Sequence, residues 1–187
     1  MKAESGGKSL QKMAKLIFVT GGARSGKSRF AVKLAKQLAS KVTFVATAMA
    51  KDEEMRERIG RHQKDRPGHW RLVEEEKNLC LVLSQLDASC ELVVIDCLSF
   101  LISNLLLDNT EEDTIIKQVR EIAGKALRLR PTFIVVSNEV GYGVVPPTRL
   151  GRSFRDICGQ ANQIMAEQAQ EVYLMISGIP MRIKRNL

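Results

Sequence analysis

At 187 residues the chain has the length of one domain with a proper core, and 44% hydrophobic against 27% charged residues is an ordinary globular balance. No apolar run reaches the ~20 residues that span a bilayer, so a membrane-spanning helix is excluded. The formal net charge of +8 suits nucleic acid or a polyphosphate ligand equally; no RNA- or DNA-binding motif accompanies it, and the polyphosphate is the reading kept.

In chain order, residues 1–15 (MKAESGGKSLQKMAK) carry lysines but no long apolar segment before a cleavage site. They read as a flexible N-terminal tail and not as a secretory signal, leaving 16–187 as one domain. Leu16–Thr20 is a buried-strand candidate that runs into GGARSGKS. Phe30, Leu34 and Leu38 then recur every four residues, one face of a helix ending near Ser40. Val42–Ala46, Leu92–Ile95, Phe133–Ser137 and Val172–Ser177 are further apolar strands. Leu98, Leu101, Ile102, Leu105 and Leu106 share one helix face, and so do Phe154, Ile157, Ala161, Ile164 and Met165. Short apolar strands alternating with helices predict an α/β fold with a mostly parallel sheet. Open parallel sheets bind ligands at the carboxyl ends of their strands. Those ends carry Gly21, Ala46-Thr47, Asp96, Asn138-Glu139 and Ser177-Gly178.

Four cysteines, Cys80, Cys90, Cys97 and Cys158, form no C-x-x-C pair, and the chain has two histidines. That pattern argues against zinc and for buried free thiols in a reducing compartment, hence the cytoplasm.

Gly21, Gly22, Ala23, Arg24, Ser25, Gly26, Lys27 and Ser28 match G-x-x-x-x-G-K-[ST] in full, with a strand before and a helix after. Such a loop turns its backbone N–H groups inward around phosphate oxygens, and the helix N-terminus adds positive potential. Lys27 is expected on the β/γ-phosphates and Ser28 on Mg²⁺. Asp96, closing the run LVVI, suits a second metal-holding group, or a helix cap.

Met55, Ile59, His62 and Arg66 are spaced 4, 3 and 4 apart and form one helical stripe, with Arg58 a turn before His62. Flanking arginines would hold a polyphosphate and favour neutral, nucleophilic imidazole. The plainer reading is a surface helix with an ordinary histidine. His69, beside Trp70, reads as a packing or loop contact.

Four blocks, FVTGGARSGKS, VATAMAKDEEMRERIGRHQKDRPGHW, IDCLSFLISNLLL and SNEVGYGVVPPTRLGRSFRDICGQANQ, make the chain resemble the bifunctional adenosylcobinamide kinase / adenosylcobinamide-phosphate guanylyltransferase family from about Leu16 to Lys184. The resemblance implies a two-step enzyme of cobalamin biosynthesis. It phosphorylates the aminopropanol hydroxyl of adenosylcobinamide with ATP or GTP. It then transfers GMP from GTP, through a guanylylated histidine, to give adenosylcobinamide-GDP. The family pattern R-I-x-x-H places the nucleophile at His62, with Lys27 the other catalytic group. Nucleotide contacts carry over to Gly21–Ser28, to Ala46, Thr47 and Ala48, to Gln63, Lys64, Asp65 and Arg66, and to Glu74 and Asp96. Glu74 and Asp96 could accept from guanine N1–H and N2–H₂, which adenine lacks, a role that competes with Mg²⁺ for Asp96. The resemblance also implies a homotrimer and a core like that of RecA-type recombination ATPases; for want of a motif and of a long apolar run, no nucleic-acid partner and no membrane anchor are expected. Two departures stand out: the tail before Leu16 is long, and Arg61 precedes His62 where some members carry a second histidine.

Glu139 reads either as a group orienting water, metal or the acceptor hydroxyl, or as a structural acid. Arg149, Arg152 and Arg155 read as triphosphate or subunit contacts, or as a solvated face. A P-loop small-molecule kinase without the transferase step is the alternative enzyme. A nucleotide-switched binding module, perhaps on nucleic acid, is the non-catalytic one, with the +8 charge its sole support.

Overall fold

The computed structural model describes residues 15–48 and 66–185. Its elements are β1 (Leu16–Gly21), α1 (Lys27–Leu38), β2 (Val42–Ala46), β3 (Arg71–Glu74), α2 (Leu79–Ser84), β4 (Leu92–Asp96), α3 (Leu98–Leu107), α4 (Glu112–Arg128), β5 (Thr132–Val136), α5 (Arg149–Gln168), β6 (Glu171–Ile176) and β7 (Ile179–Arg185). Among the described residues the strands form one sheet in the order β3-β2-β4-β5-β1-β6-β7, parallel except for β7, which returns antiparallel on β6. This is the α/β class that the alternation of strands and helices predicts.

Sheet and helices are joined by a period-two division of the strands. Leu16 and Phe18 of β1, Val93 and Ile95 of β4, and Phe133 and Val135 of β5 face α2, α3, α4 and α5. Their neighbours Ile17, Val19, Val94, Ile134 and Val136 face α1 through Ala31, Val32 and Ala35. Both faces are covered, so the central strands read as unbroken apolar runs. Each fully buried Leu, Ile, Val or Phe contributes about 1.5–3 kcal/mol.

The expected strands and helices appear with ends shifted by one or two residues: α1 closes at Leu38, β1 runs through Gly21 and β4 through Asp96. Four further elements were not singled out in the sequence. Edge strand β3 is four residues long with three of them exposed, so it carries no apolar run. In β7, Ile179, Met181 and Ile183 alternate with Pro180, Arg182 and Lys184, and the strand follows β6 after a two-residue turn, Ser177-Gly178, with both φ angles positive. Helix α2 spans only six residues. Helix α4 does carry a helical stripe, Ile115, Val119, Ile122 and Ala126, all buried.

At the chain's described start, Lys15 is part of the fold: its ammonium pairs with Glu171, and its carbonyl accepts from Phe133 N at 2.7 Å.

Candidate nucleotide site

The phosphate loop is built where β1 ends. Gly21 takes φ +148°, and a Cβ there would lie 2.5 Å from Met175 O; Gly26 takes φ +92° immediately before α1. Both positions therefore require glycine. The turn is closed by Ser25 N donating to Gly22 O at 3.3 Å, and Gly178 N, in the β6–β7 turn, donates to Ser25 O at 3.0 Å. Lys27 is buried, and its ammonium donates to Gly21 O at 2.9 Å and Gly22 O at 2.6 Å. Gly22, Ala23 and Arg24 are exposed at the crest, while Ser28 is half-buried in the first turn of α1. The Ser25 hydroxyl is buried inside the loop with no partner among the described residues. A phosphate oxygen is the kind of acceptor that satisfies such an orphan.

Three strands away along the same edge, Glu74 of β3 and Asp96 of β4 lie level with Ala46 of β2, one on each side. Arg66 lies over this row. Its guanidinium carbon is 4.2 Å from the centre of the Phe44 ring, and its Nη1 is buried without a hydrogen-bond partner among the described residues. Burial lowers the guanidinium's pKa from its usual value, and the negative charges of Asp96 and Glu74 oppose that shift. The fork is thus a cation held by a ring face and two nearby carboxylates.

Thr47 is spent internally. It is fully buried, its hydroxyl donates to Cys97 O at 2.6 Å and accepts from Cys97 N at 2.8 Å, and its carbonyl accepts from Asn104 Nδ2 at 2.9 Å. It braces β2 against the β4–α3 junction, next to Asp96. Cys97, at that junction, is pushed up to about 11 by burial first and by the charge of Asp96 second, while Lys27 pulls it down. Asp96 and Lys27 therefore share the electrostatic neighbourhood of one thiol. The junction also anchors Ser99, whose hydroxyl accepts from Asn138 N at 3.3 Å and Asn138 Nδ2 at 2.8 Å.

Of the residues expected to form the site, Gly21–Ser28, Ala46, Thr47, Ala48, Arg66, Glu74 and Asp96 lie at or just beyond the carboxyl ends of neighbouring strands or in the loops there. His62, Gln63, Lys64 and Asp65 lie outside the described residues. Arg152 is committed to the carbonyls of Pro146 and Pro147, at 3.1 and 2.8 Å, and Arg155 to Asp156. His69 is exposed while Trp70 packs into the core on the α1 face. Sequence patterns did not single out Phe44 or Ser99, since a ring within a buried strand and a serine within an apolar helix read as packing.

All four cysteines are free; Cys90, Cys97 and Cys158 are buried and Cys80 is half-buried. No described helix is long and apolar enough to cross a membrane. Among the described residues no three or more His, Cys, Asp or Glu side chains gather to hold a metal ion. The oxygen donors at this edge, one hydroxyl (Ser28) and one carboxylate (Asp96), suit Mg²⁺ when nucleotide phosphates complete its shell.

The profile of the family described as cobinamide kinase / cobinamide phosphate guanyltransferase matches residues 17–183. The bifunctional adenosylcobalamin biosynthesis protein CobU of Escherichia coli K12 is 39% identical over 181 residues, covering 90% of this chain and 99% of that protein. CobU of Salmonella typhimurium is 38% identical over 181 residues, with the same coverage. The bifunctional adenosylcobalamin biosynthesis protein CobP of Pseudomonas aeruginosa is 37% identical over 172 residues, covering 89% of this chain and 95% of that protein. With a phosphate loop intact at one end of the sheet edge and a carboxylate pair at the other, the chain belongs to the cobinamide kinase / cobinamide phosphate guanyltransferase family.

Proposed function

We propose that the chain phosphorylates the aminopropanol hydroxyl of adenosylcobinamide with ATP or GTP and then transfers GMP from GTP through a guanylylated His62, giving adenosylcobinamide-GDP. The observation that carries this reading is one continuous edge with a phosphate loop at β1 and a pair of carboxylates around β2. The β1-to-β2 separation is three strand spacings, about 14 Å, a span that an extended nucleoside triphosphate can bridge.

In the kinase step, Lys27 turns from the loop carbonyls toward the β- and γ-phosphates, and the loop N–H groups hold the remaining oxygens. Ser28 and Asp96 would hold Mg²⁺, which when bound would supply positive charge against the phosphate oxygens. Glu74 accepts from the guanine N1–H and N2–H₂ edge, which gives GTP its advantage in the second step. Asp96, on β4, lies between the base end at β3 and the phosphate end at β1, and Arg66 offsets the charge of the acidic pair.

In the transferase step, a neutral His62 imidazole forms an N–P bond at the α-phosphorus as the bond to the bridging oxygen breaks and pyrophosphate leaves. A phosphate oxygen of adenosylcobinamide phosphate then displaces the histidine. The enzyme works in the cytoplasm as a homotrimer in this reading, which light scattering tests directly.

Incubation with [α-³²P]GTP and Mg²⁺, followed by denaturing electrophoresis, tests the central claim. An acid-labile, alkali-stable label that disappears in His62→Ala is expected. No label from a folded sample that still phosphorylates adenosylcobinamide leaves a P-loop kinase without the transferase step.

A further inference from the structure

Beyond the last residue of β5 the chain stays zipped to β1. Ser137 N donates to Val19 O at 3.0 Å and Glu139 N to Gly21 O at 2.9 Å, which sets Asn138 and Glu139 beside the first residue of the phosphate loop. Asn138 is tied on three atoms. Its N and Nδ2 both donate to Ser99 Oγ, at 3.3 and 2.8 Å, and its carbonyl accepts from Asn162 Nδ2 at 3.0 Å. Its Oδ1 has no partner among the described residues. Ser137 Oγ and Asn162 Oδ1 are buried and have no hydrogen-bond partner among the described residues. A polar cluster with unmet acceptors is costly in a fold that gains nothing else from it.

The loop that follows displays apolar side chains from a fastened backbone. Tyr142, Val144 and Val145 are 87%, 96% and 63% exposed. Gly141 N donates to Glu139 Oε1 at 2.9 Å, Thr148 Oγ1 accepts from Gly151 N at 3.1 Å, and Arg152 clasps both proline carbonyls. The prolines further restrict the chain. Tyr142 is three residues beyond Glu139 and Val144 five, so at ~3.6 Å per residue they lie within about 11 and 18 Å of it. An apolar ledge fastened on both flanks therefore stands within a substrate's length of the phosphate loop.

We infer that the end of β5 and this loop form the acceptor site: Asn138 Oδ1 accepts a hydrogen bond from the hydroxyl to be phosphorylated, and Tyr142, Val144 and Val145 receive the corrin macrocycle. The assignment rests on the kinase reading above. It adds where the large substrate lies and which side chain aims its hydroxyl. The hydroxyl oxygen bonds to the γ-phosphorus as the bond from that phosphorus to the β,γ-bridging oxygen breaks. The nucleoside diphosphate leaves with that electron pair, and the hydroxyl proton passes to solvent. A carboxamide suits the aiming role because it accepts a hydrogen bond without placing a second negative charge against the γ-phosphate. Ser99, by holding Nδ2, fixes which end of the carboxamide is presented.

Two half-reactions allow a clean test, because guanylylation of the enzyme by GTP needs no corrinoid. Steady-state phosphorylation of adenosylcobinamide by ATP is measured alongside labelling by [α-³²P]GTP, with light scattering and circular dichroism on each variant. For Val144→Asp the KM for adenosylcobinamide is expected to rise about tenfold or more, with kcat, the KM for ATP and the GTP label retained. For Asn138→Ala kcat for phosphorylation is expected to fall about 100-fold with the KM for ATP and the label retained. Should Asn138→Ala fail to fold, Val144→Asp and Tyr142→Ser carry the test alone, since both side chains stand in solvent. An unchanged KM for adenosylcobinamide in both ledge variants overturns the assignment. So does a fall in molecular mass with loss of the label in Val144→Asp, which would make the ledge a subunit contact. A wild-type protein that labels with GTP but does not phosphorylate adenosylcobinamide defeats the kinase reading itself.

Discussion

The two ends of the nucleotide edge are built on different principles. At β1 the backbone does the work: two glycines in the left-handed half of φ space, carbonyls taken by the buried Lys27, and a crossing bond from Gly178 to Ser25. At β2 the groups are side chains: an exposed Glu74, Asp96, and an arginine lying on Phe44. A backbone cradle recognises phosphate in any nucleotide, and its shape fails if one Cβ is added. A side-chain cluster distinguishes bases, and it can be altered one charge at a time. In the function proposed above, the first end governs whether chemistry occurs, and the second which nucleotide undergoes it.

The largest break in that comparison is expected from Lys27→Ala. Loss of this charge should lower kcat for phosphorylation by about 10²–10³, as removal of one transition-state donor does, in assays at saturating ATP. Gly21→Ala comes next. Its Cβ meets Met175 O at 2.5 Å in a strained backbone, so the urea midpoint should fall by the equivalent of about 1–3 kcal/mol or more. A midpoint equal to wild type would mean that the loop is not preformed.

Smaller effects sharpen the other end. Glu74→Gln should cut the preference for GTP over ATP by about tenfold in competition binding while leaving ATP affinity near wild type; equal loss for both nucleotides would sink the base-reading role. Thr47→Val removes a hydroxyl that both donates and accepts at the β4–α3 junction. It should cost about 1–3 kcal/mol of stability, read from chemical denaturation.

The smallest effect concerns pH and lies outside the edge. Burial pushes the Glu171 carboxyl up, but hydrogen bonds from Lys15 and Tyr173 outweigh it and hold the group below its ordinary value. The folded form then binds fewer protons than the unfolded one. The stabilisation is present above the unfolded glutamate pKa, near ~4.3, and is lost as pH falls below it. Glu171→Gln should flatten the acid limb of the stability profile by comparison with wild type.

Much of the phosphate end is legible in a linear reading because its chemistry is local. Gly21 to Ser28 are consecutive, and a strand on one side with a helix on the other supplies the context. The alternation of apolar strands and helices likewise announces a sheet covered on both faces, since each strand must bury two faces and each helix one. Edge strand β3 and helix α2 give weaker signals, because short elements have no strong apolar pattern to show.

What only the tertiary structure decided is which distant residues meet. Sequence order does not reveal that β4 and β5 lie between β1 and β2, and that order is what puts Glu74 and Asp96 on either side of Ala46. Thr47, a nucleotide contact by the family resemblance, also bonds Cys97 and Asn104, 50 and 57 residues away. Arg66, read in the sequence as part of a stripe with His62, lies against Phe44, 22 residues away in the chain. Such pairings follow from strand order and side-chain packing across the sheet. Those are properties of the assembled core; the phosphate loop is eight consecutive residues, so its identity is legible in sequence, while its contacts with Met175 and Gly178 come from the fold.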